Sequence, residues 1–239
     1  MQTVIIIGAM DMEIAALREK LPLNGETRCA GAKTYIGEFE GKKIMLLQCG
    51  PGKVHAAART QAALDAAGAS GVDGTCVINT GVAGALSDKL DIGDIVISKD
   101  LVQHDFDASA AGNAAGEIPG LLMTAFIADP ALIKAAKEAA LSIACNEKNC
   151  HIARIATGDQ FIASKSDKER IIKNFDAYCV EMEGAAIAQT CFINDNTPFV
   201  VIRGMSDKAN EEAGYDFSER AKLIAERTSA IVMKMIERL

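Results

Sequence analysis

Short runs of apolar residues, separated by longer amphipathic segments, form the hydropathy pattern of this chain. Valine and isoleucine fill the short runs with little alternation of polar residues, which is typical of central β-strands covered on both faces. Seven strands are predicted, at residues 4–7, 43–49, 75–79, 94–98, 152–156, 177–180 and 199–202. The segment TYIGEFEGKKIMLLQ alternates and reverses at Glu40-Gly41, so it predicts a β-hairpin.

Helical patterns lie between the predicted strands, at residues 11–20, 54–67, 130–144, 185–191 and 218–239, with one further helix starting near Ser166. Asp129 and Pro130 suit the N-cap and the first helical position, and Ser166 with Glu169 forms a capping-box pattern. Alternating strands and helices predict an α/β fold, and the hairpin makes the sheet mixed. Because no linker or repeat divides the chain, we expect a single domain over residues 1–239.

Composition narrows the functional classes. The 239 residues carry a net charge of −7, are 49% hydrophobic and have a mean hydropathy of +0.13, which excludes a disordered chain. The chain has no basic cluster, which argues against nucleic acid or an anionic membrane surface as a partner. No apolar run approaches the roughly 20 residues of a membrane-spanning helix. The seven cysteines form no C-x-x-C pair and mostly sit in apolar runs, so we expect core residues in a reducing, cytoplasmic compartment.

Polar residues follow four of the predicted strands, in GAMDME, NTGVAG, EME and RGMSD. Ligands in open α/β sheets bind outside the carboxyl ends of the strands, so the four segments are expected to line one crevice. Each segment alone also fits an ordinary β-to-α turn, where glycine, aspartate and serine are common. The occurrence of four such segments favours the crevice.

Several kinds of chemistry lack their sequence patterns. The chain contains no dinucleotide fingerprint, no Walker A loop and no G-x-S-x-G elbow. His104-Asp105-Phe106-Asp107 is the only cluster of histidine and aspartate, and without a second histidine nearby it does not predict a metal site. What remains is a set of carboxylates.

Four carboxylates, from Glu13, Glu181, Glu183 and Asp207, are the candidates for chemistry. Carboxylates around one crevice suit acid–base cleavage of a glycosidic bond, in which an acid assists the leaving group and a base activates water. A carboxylate such as Glu183, at the mouth of a helix, also suits the two hydroxyls of a sugar diol. For Glu181 the alternative is a buried ion pair with Arg203, since buried carboxylates are usually paired.

Five blocks of sequence resemble the 5′-methylthioadenosine/S-adenosylhomocysteine nucleosidases, within the wider purine nucleoside phosphorylase superfamily. The blocks are IIGAMDMEI, NTGVAG, ATGDQFI, VEMEGAAIAQ and FVVIRGMSD, and they extend in order over nearly the whole chain. The resemblance implies a three-layer α/β/α fold with a mixed central sheet. It also implies a homodimer, no cofactor, and hydrolysis of the N-glycosidic bond of 5′-thioadenosines in methionine salvage and nucleoside catabolism.

The same resemblance implies roles for individual residues. Glu13 matches the general base for the attacking water, and Asp207 matches the general acid that protonates adenine at N7, held by Ser206. Arg203 matches a residue that orders the polar site, and Glu181 is a supporting residue behind Met182 and Glu183. Eight positions match substrate contacts: Glu183 and Met182 on the ribose, Phe161 and Ile162 on adenine, the binding glycine Gly84, and Met10, Pro51 and Phe217 along the 5′ substituent.

Two positions depart from the family pattern. Val82 stands where some members carry a serine near the catalytic water. Ala111, in the irregular segment 107–120, falls near a phenylalanine that in some members reaches the 5′ pocket of the partner subunit. A more open pocket and tolerance of bulky 5′ substituents are therefore expected.

Three alternatives stay open. A phosphorylase of the same fold would need cations near the glycine segments, and Lys53 after GPG is the candidate. A non-catalytic nucleoside-binding protein is the second, against which the presence of both Glu13 and Asp207 argues. The third is another substrate with the same adenine and ribose, such as aminodeoxyfutalosine or 5′-deoxyadenosine.

Overall fold

Strands and helices alternate along the chain in a computed structural model that describes residues 2–68, 74–143 and 145–239. The strands are β1 Thr3–Gly8, β2 Leu23–Cys29, β3 Ala32–Phe39, β4 Lys42–Gln48, β5 Thr75–Ala85, β6 Ile95–Gln103, β7 Ala125–Ile127, β8 Cys150–Thr157, β9 Cys179–Glu181 and β10 Phe199–Asp207. The helices are α1 Asp11–Lys20, α2 Lys53–Ala67, α3 Pro130–Ile143, α4 Lys165–Phe175, α5 Gly184–Ile193 and α6 Ala213–Ile236.

All ten strands of the described residues belong to one mixed sheet. β1 runs parallel to β4 and to β5, and β5 runs parallel to β10, whereas the β2–β3–β4 hairpins are antiparallel. β10 pairs with both β5 and β6, and the order β10–β6–β8–β9–β5 then returns to β10. Five strands therefore close into a ring, which the sequence patterns did not predict.

Helices cover both faces of the sheet. Helices α1, α3 and α6 pack against one apolar layer, which includes Ile14, Leu132 and Ile231. Helices α2 and α5 pack against the other, which includes Leu64 and Ile187. The arrangement confirms the predicted α/β fold with a mixed central sheet. No helix among the described residues has the length and apolar character needed to cross a membrane.

Several element boundaries differ from the predictions. The N-cap of α4 is Ser164, whose hydroxyl accepts a hydrogen bond from the Asp167 amide at 3.2 Å, so Ser166 lies inside the helix. Helix α6 begins at Ala213 rather than at residue 218. Ala144, the last residue of the predicted third helix, lies outside the described residues, while the predicted cap Asp129 accepts the Ala131 and Leu132 amides at 2.9 Å.

Several strands are longer than predicted, among them β6, which continues past Ser98 to Gln103, and two of them extend into polar segments. β5 continues past Asn79 to Ala85, and β10 continues past Ile202 to Asp207. They pair in parallel over these extensions, from Val77 with Phe199 to Gly84 with Asp207, so the backbone groups of both polar segments find partners in the sheet. The segments NTGVAG and RGMSD are therefore strand and not the turns that polar composition suggests.

The cysteines behave as core residues. Six of the seven are buried, Cys145 is partly exposed, and all are free thiols. Burial raises the pKa of the Cys49 and Cys179 thiols above their usual value of 9.0. The predicted structural role of the cysteines is confirmed for the six buried side chains.

Candidate active site

A cavity of about 200 Å³ opens at the carboxyl ends of β1, β5, β9 and β10. Its lining includes the predicted site residues Met10, Glu13, Gly84, Phe161, Ile162, Glu181, Met182, Glu183, Ser206, Asp207 and Phe217, together with Pro51 and Val82. Arg203 is fully buried behind this lining. Residues from seven separate parts of the chain thus converge on one site, and they include the four polar segments that the sequence patterns predicted to line one crevice.

Glu13 sits in the first turn of α1 with only 3% of its surface exposed. Its Oε2 accepts the backbone amides of Ala9 at 2.7 Å and Met10 at 2.9 Å, and its Oε1 accepts that of Val82 at 3.0 Å. Burial raises the pKa of the carboxyl, while the nearby Arg203 charge and the three amides oppose the rise. Because all three partners are donors, the geometry suits an ionised carboxylate.

Asp207, at the end of β10, is the second buried carboxyl of the cavity wall. Burial raises its pKa, and hydrogen bonds from Ala209 and Ser206 and the charge of Lys168 oppose the rise. Ser206 Oγ lies 2.8 Å from Oδ2 of Asp207 and 3.3 Å from the carbonyl oxygen of Ala83. A hydroxyl carries one proton, so when Ser206 donates to that carbonyl it can accept the proton of a neutral Asp207.

Glu181 and Arg203 form a buried ion pair. Nη2 of Arg203 donates to Oε2 of Glu181 and, at 2.6 Å, to Oδ1 of Asn79. Burial acts to lower the pKa of Arg203, but the surrounding carboxylates outweigh burial and keep the guanidinium charged. Oε2 of Glu181 also accepts the amides of Glu183 and Gly184, at 3.1 and 2.7 Å. The ion-pair reading of Glu181 is therefore correct, and its carboxylate also caps α5.

Glu183 precedes α5 and faces the cavity beside Met182. Its Oε1 accepts the Gly52 amide at 2.9 Å, and its Oε2 lies 3.6 Å from Arg203 Nη2. Burial and the neighbouring Glu181 charge raise the pKa of Glu183. Oε2 has no close amide donor among the described residues, so it is the oxygen of Glu183 available to a ligand hydroxyl.

Two glycines of β5 permit the close approach of the acidic side chains. A Cβ at Gly81 would lie 2.2 Å from Oε1 of Glu13, and one at Gly84 would lie 2.8 Å from Oδ1 of Asp207. The side chains therefore pass directly over the strand backbone. The groups that approach the backbone at NTGVAG are protein carboxylates.

The apolar end of the cavity is formed by aromatic and aliphatic side chains. The rings of Phe161 and Phe217 meet edge to face, with centroids 5.9 Å apart, and Phe161 is 51% exposed. Met10 and Pro51 line the same cavity. Ala111 lies in an exposed 3₁₀ turn, Ser109–Ala111, and does not line the described cavity of this subunit.

Two polar residues of the site were not predicted from the sequence. Thr157 Oγ1 donates to Oε1 of Glu181 and accepts the Ala185 amide at 2.8 Å. Asn79 holds Arg203, and its Nδ2 donates to the Ile7 carbonyl at 2.8 Å. A polar amide inside the apolar run CVIN was a usable signal for Asn79, whereas a threonine at a strand end is too common to be one. The described residues contain no group of three or more His, Cys, Asp or Glu side chains placed to hold a metal ion.

Comparison with known proteins agrees with this geometry. The family model of the phosphorylase superfamily matches residues 3–237. A 5′-methylthioadenosine/S-adenosylhomocysteine nucleosidase of Anoxybacillus flavithermus is 40% identical over 237 residues, covering 98% of this chain and 97% of the relative.

Two solved structures share the fold over the whole of both chains. A 5′-methylthioadenosine/S-adenosylhomocysteine nucleosidase from Neisseria meningitidis, in complex with methylthio-immucillin-A, has a TM-score of 0.92 and 39% identity to this chain. A futalosine hydrolase mutant of Helicobacter pylori also has a TM-score of 0.92, with 32% identity. This chain therefore belongs to the phosphorylase superfamily, among the 5′-methylthioadenosine/S-adenosylhomocysteine nucleosidases.

Proposed function

We propose that the protein hydrolyses the N-glycosidic bond of 5′-methylthioadenosine and S-adenosylhomocysteine, releasing adenine and the 5′-thioribose. The observation that carries the proposal is the placement of two buried carboxyls, Glu13 and Asp207, on one cavity. Glu13 contacts β5 at Val82 and Asp207 contacts it at Gly84, two residues further on. Both carboxyls therefore line one cavity along the same stretch of β5, where one can act as the acid and the other as the base on a bound nucleoside.

Asp207 serves as the general acid in this proposal. Burial raises its pKa and so favours the protonated form, and Ser206 can accept a hydrogen bond from the neutral acid. Transfer of that proton to N7 of adenine neutralises the leaving group as the bond between C1′ and N9 breaks. The acid thereby removes the cost of expelling an anionic base.

Glu13 serves as the general base. Three backbone amides and the Arg203 charge favour its ionised form, so it can take a proton from water as the oxygen of that water bonds to C1′. The ribose carries positive charge in the oxocarbenium-like transition state, and the carboxylates of Glu13 and Glu183 stabilise it. Solvent exchange afterwards returns the proton from Glu13 to Asp207.

In this proposal, different residues of the cavity bind the ribose, the base and the 5′ substituent. Oε2 of Glu183 accepts hydrogen bonds from the 2′- and 3′-hydroxyls, Met182 packs against the ribose, and Gly84 contributes to the part of the lining beside Asp207. Phe161 stacks on adenine, Ile162 contacts its edge, and Phe217 with Met10 surrounds the 5′ substituent. The half-exposed ring of Phe161 supports this assignment, because an incoming base would cover it.

Water rather than phosphate is the nucleophile in this proposal. The described residues that line the cavity include no lysine or arginine, which a phosphate would need. Lys53, the candidate cation, donates to Asp105 at 2.7 Å and to Gln103 at 2.9 Å. Its charge is therefore already neutralised within the protein.

Assembly, location and pathway complete the proposal. Three large apolar side chains are exposed: Val54 on α2, Leu122 before β7 and Ile127 on β7. A second copy of the chain would cover such groups in a homodimer. Six buried, free cysteines support a cytoplasmic location. Release of adenine from thioadenosines fits methionine salvage. Light scattering in solution tests the dimer.

Adenine release from 5′-methylthioadenosine by the purified protein, with and without phosphate, tests the activity. We expect release without phosphate, with free methylthioribose as the second product. Release only with phosphate, giving a sugar 1-phosphate, would identify a phosphorylase and remove Glu13 as the base. Comparison with S-adenosylhomocysteine, 5′-deoxyadenosine and aminodeoxyfutalosine then ranks the substrates. We expect tolerance of bulky 5′ groups, and a strict preference for the methylthio compound would contradict it.

The variant Asp207→Asn separates an enzyme from a non-catalytic binding protein. We expect its kcat to fall by about 10²–10⁴, the usual contribution of a general acid, while adenine still binds. Lys33→Met, which removes an exposed ion pair with Glu26 on the β2–β3 hairpin, is the control. A binding protein would show no turnover even in the unmodified chain.

A further inference from the structure

Three loops meet behind the cavity wall at a set of charged residues that do not line the cavity. Lys53 begins α2, Asp105 follows β6, and Asp159 follows β8. None of the three side chains belongs to the cavity lining. We call Lys53, Asp105 and Asp159 the loop clamp.

The loop clamp is a closed cycle of hydrogen bonds. Nζ of Lys53 donates to Oδ1 of Asp105 at 2.7 Å. Oδ2 of Asp105 accepts the backbone amide of Asp159 at 2.8 Å. Oδ1 of Asp159 in turn accepts the backbone amide of Lys53 at 2.8 Å. Each loop is therefore bonded to both of the others.

One bond of the cycle, between Lys53 and Asp105, is partly buried, whereas the two bonds made with Asp159 are exposed. The side chains of Lys53 and Asp105 are only 19% and 18% exposed. Burial acts to raise the pKa of Asp105, but the Lys53 and Asp159 hydrogen bonds outweigh it, and the pKa falls below its usual value. Partly buried, charge-assisted bonds of this kind are stronger than surface ion pairs.

Two of the three loops contribute residues to the cavity lining. The loop before α2 contributes Pro51, and its Gly52 amide holds Oε1 of Glu183 at 2.9 Å. The loop after β8 contributes Phe161 and Ile162, two and three residues past Asp159. The loop clamp thus connects the wall proposed to bind the ribose with the wall proposed to bind the base.

We propose that Lys53, Asp105 and Asp159 are positioning residues, which hold the base-binding loop in register with Glu183 so that one nucleoside contacts both. The inference rests on the proposed nucleosidase function. It adds a role for residues that touch neither substrate nor reacting atoms. Order that the protein supplies before binding does not have to be supplied by binding energy, so the loop clamp acts on affinity for the whole nucleoside.

This role predicts a specific kinetic pattern. A nucleoside spans both loops, whereas free adenine is held by one. Loosening the clamp should therefore weaken the nucleoside more than adenine. Glu13 and Asp207 lie on α1 and β10, outside the three loops, so turnover at saturation should change little. A general loss of structure would instead affect nucleoside affinity, adenine affinity and kcat together.

The test compares Lys53→Met, which removes only the ammonium group, with the near-isosteric Asp105→Asn. For both we expect KM for 5′-methylthioadenosine to rise about tenfold and kcat to stay within about threefold. The Kd of adenine, measured by calorimetry, should change less than about threefold. Because the two side chains form one bond, the double variant should also lose about tenfold and not a hundredfold.

Two controls complete the design. Lys53→Arg keeps the charge and should retain a KM within about threefold of the unmodified protein. Lys33→Met removes the ion pair of 2.6 Å between exposed Lys33 and Glu26, and should change neither constant. Thermal unfolding reports whether each variant is folded.

The outcomes separate this inference from the function on which it rests. No adenine release by the unmodified protein would remove the nucleosidase proposal and the inference with it. Normal release with an unchanged KM in the folded Asp105→Asn and Lys53→Met variants would overturn the loop clamp alone. Equal losses in KM, kcat and adenine affinity would also overturn it, because they indicate a merely structural role.

Discussion

Replacement of Arg203 by methionine tests how the acidic site is stabilised. The side chain is 1% exposed and lies among the buried carboxylates of Glu13, Glu181 and Glu183. Methionine has a similar volume but a shorter chain, so the change removes the charged head group while most of the buried volume stays filled. The lost interactions include the ion pairs with Glu181 and, at 3.6 Å, with Glu183, and the hydrogen bond to Asn79 at 2.6 Å.

The magnitude follows from the loss of one partner of a buried pair. Such a loss usually costs about 3–5 kcal/mol of unfolding free energy, because the remaining charge is left without compensation. Three carboxylates share this one cation, so we expect a value in that range at pH 8. Arg28→Met, which changes an exposed side chain that donates to the Gly31 carbonyl, is the control and should stay within about 0.5 kcal/mol.

The loss should depend on pH with a definite sign. Arg203 lowers the pKa of Glu13 and Glu183, so its removal raises both further above the usual 4.5. A group with a raised pKa in the folded state binds its proton more tightly there. Its stabilising contribution is full below pH 4.5 and is lost as pH rises through the folded pKa. The deficit of the variant should therefore be smallest near pH 5 and grow toward pH 8.

Urea unfolding at pH 5 and pH 8 measures both quantities. A loss below about 1 kcal/mol at pH 8 would refute the reasoning that Arg203 compensates the carboxylates. A loss that is equal at the two pH values would show that packing rather than charge explains the effect.

Further predictions concern the carboxyls and their supports. Glu13→Gln should lower kcat by about 10²–10⁴ in steady-state assays with little change in KM, and an unchanged kcat would exclude it as the base. Gly81→Ala should displace Glu13, since its Cβ would lie 2.2 Å from Oε1; we expect at least about tenfold loss of kcat, whereas Gly214→Ala, with open space around it, should be neutral. Burial raises the pKa of Asp207 and Lys168 opposes this. Lys168→Met should thus let Asp207 keep its proton to higher pH and move the alkaline limb of the kcat profile upward, and a downward shift would contradict the assignment.

Apolar periodicity was sufficient for most of the fold. Runs such as 4–7 and 199–202 are strands because valine and isoleucine suit a sheet covered on both faces, and this property is local. Asp129 caps α3 for a similarly local reason. The cap of α4 was assigned to Ser166 instead of Ser164 because two nearby serines offer the same chemistry, and only the path of the entering chain distinguishes them.

The composition of the site was also readable from the sequence. Carboxylates rarely enter apolar runs without a function or a partner, so Glu181 and Glu183 in VEMEG marked the site before any contact was known. The resemblance to the nucleosidases supplied the same residues with roles. The cavity brings together all of them except Arg203, which is buried behind its wall.

The tertiary structure alone decided how these groups act on one another. Closure of the strand ring by β10 makes NTGVAG and RGMSD paired strands, and no local pattern encodes a pairing between residues more than 100 positions apart. The pKa of Glu13 depends on three amides and a guanidinium from separate segments, and the loop clamp on three loops that meet only in the fold. Residue types and local periodicity are properties of the sequence, whereas desolvation and hydrogen-bond geometry depend on which distant segments pack together.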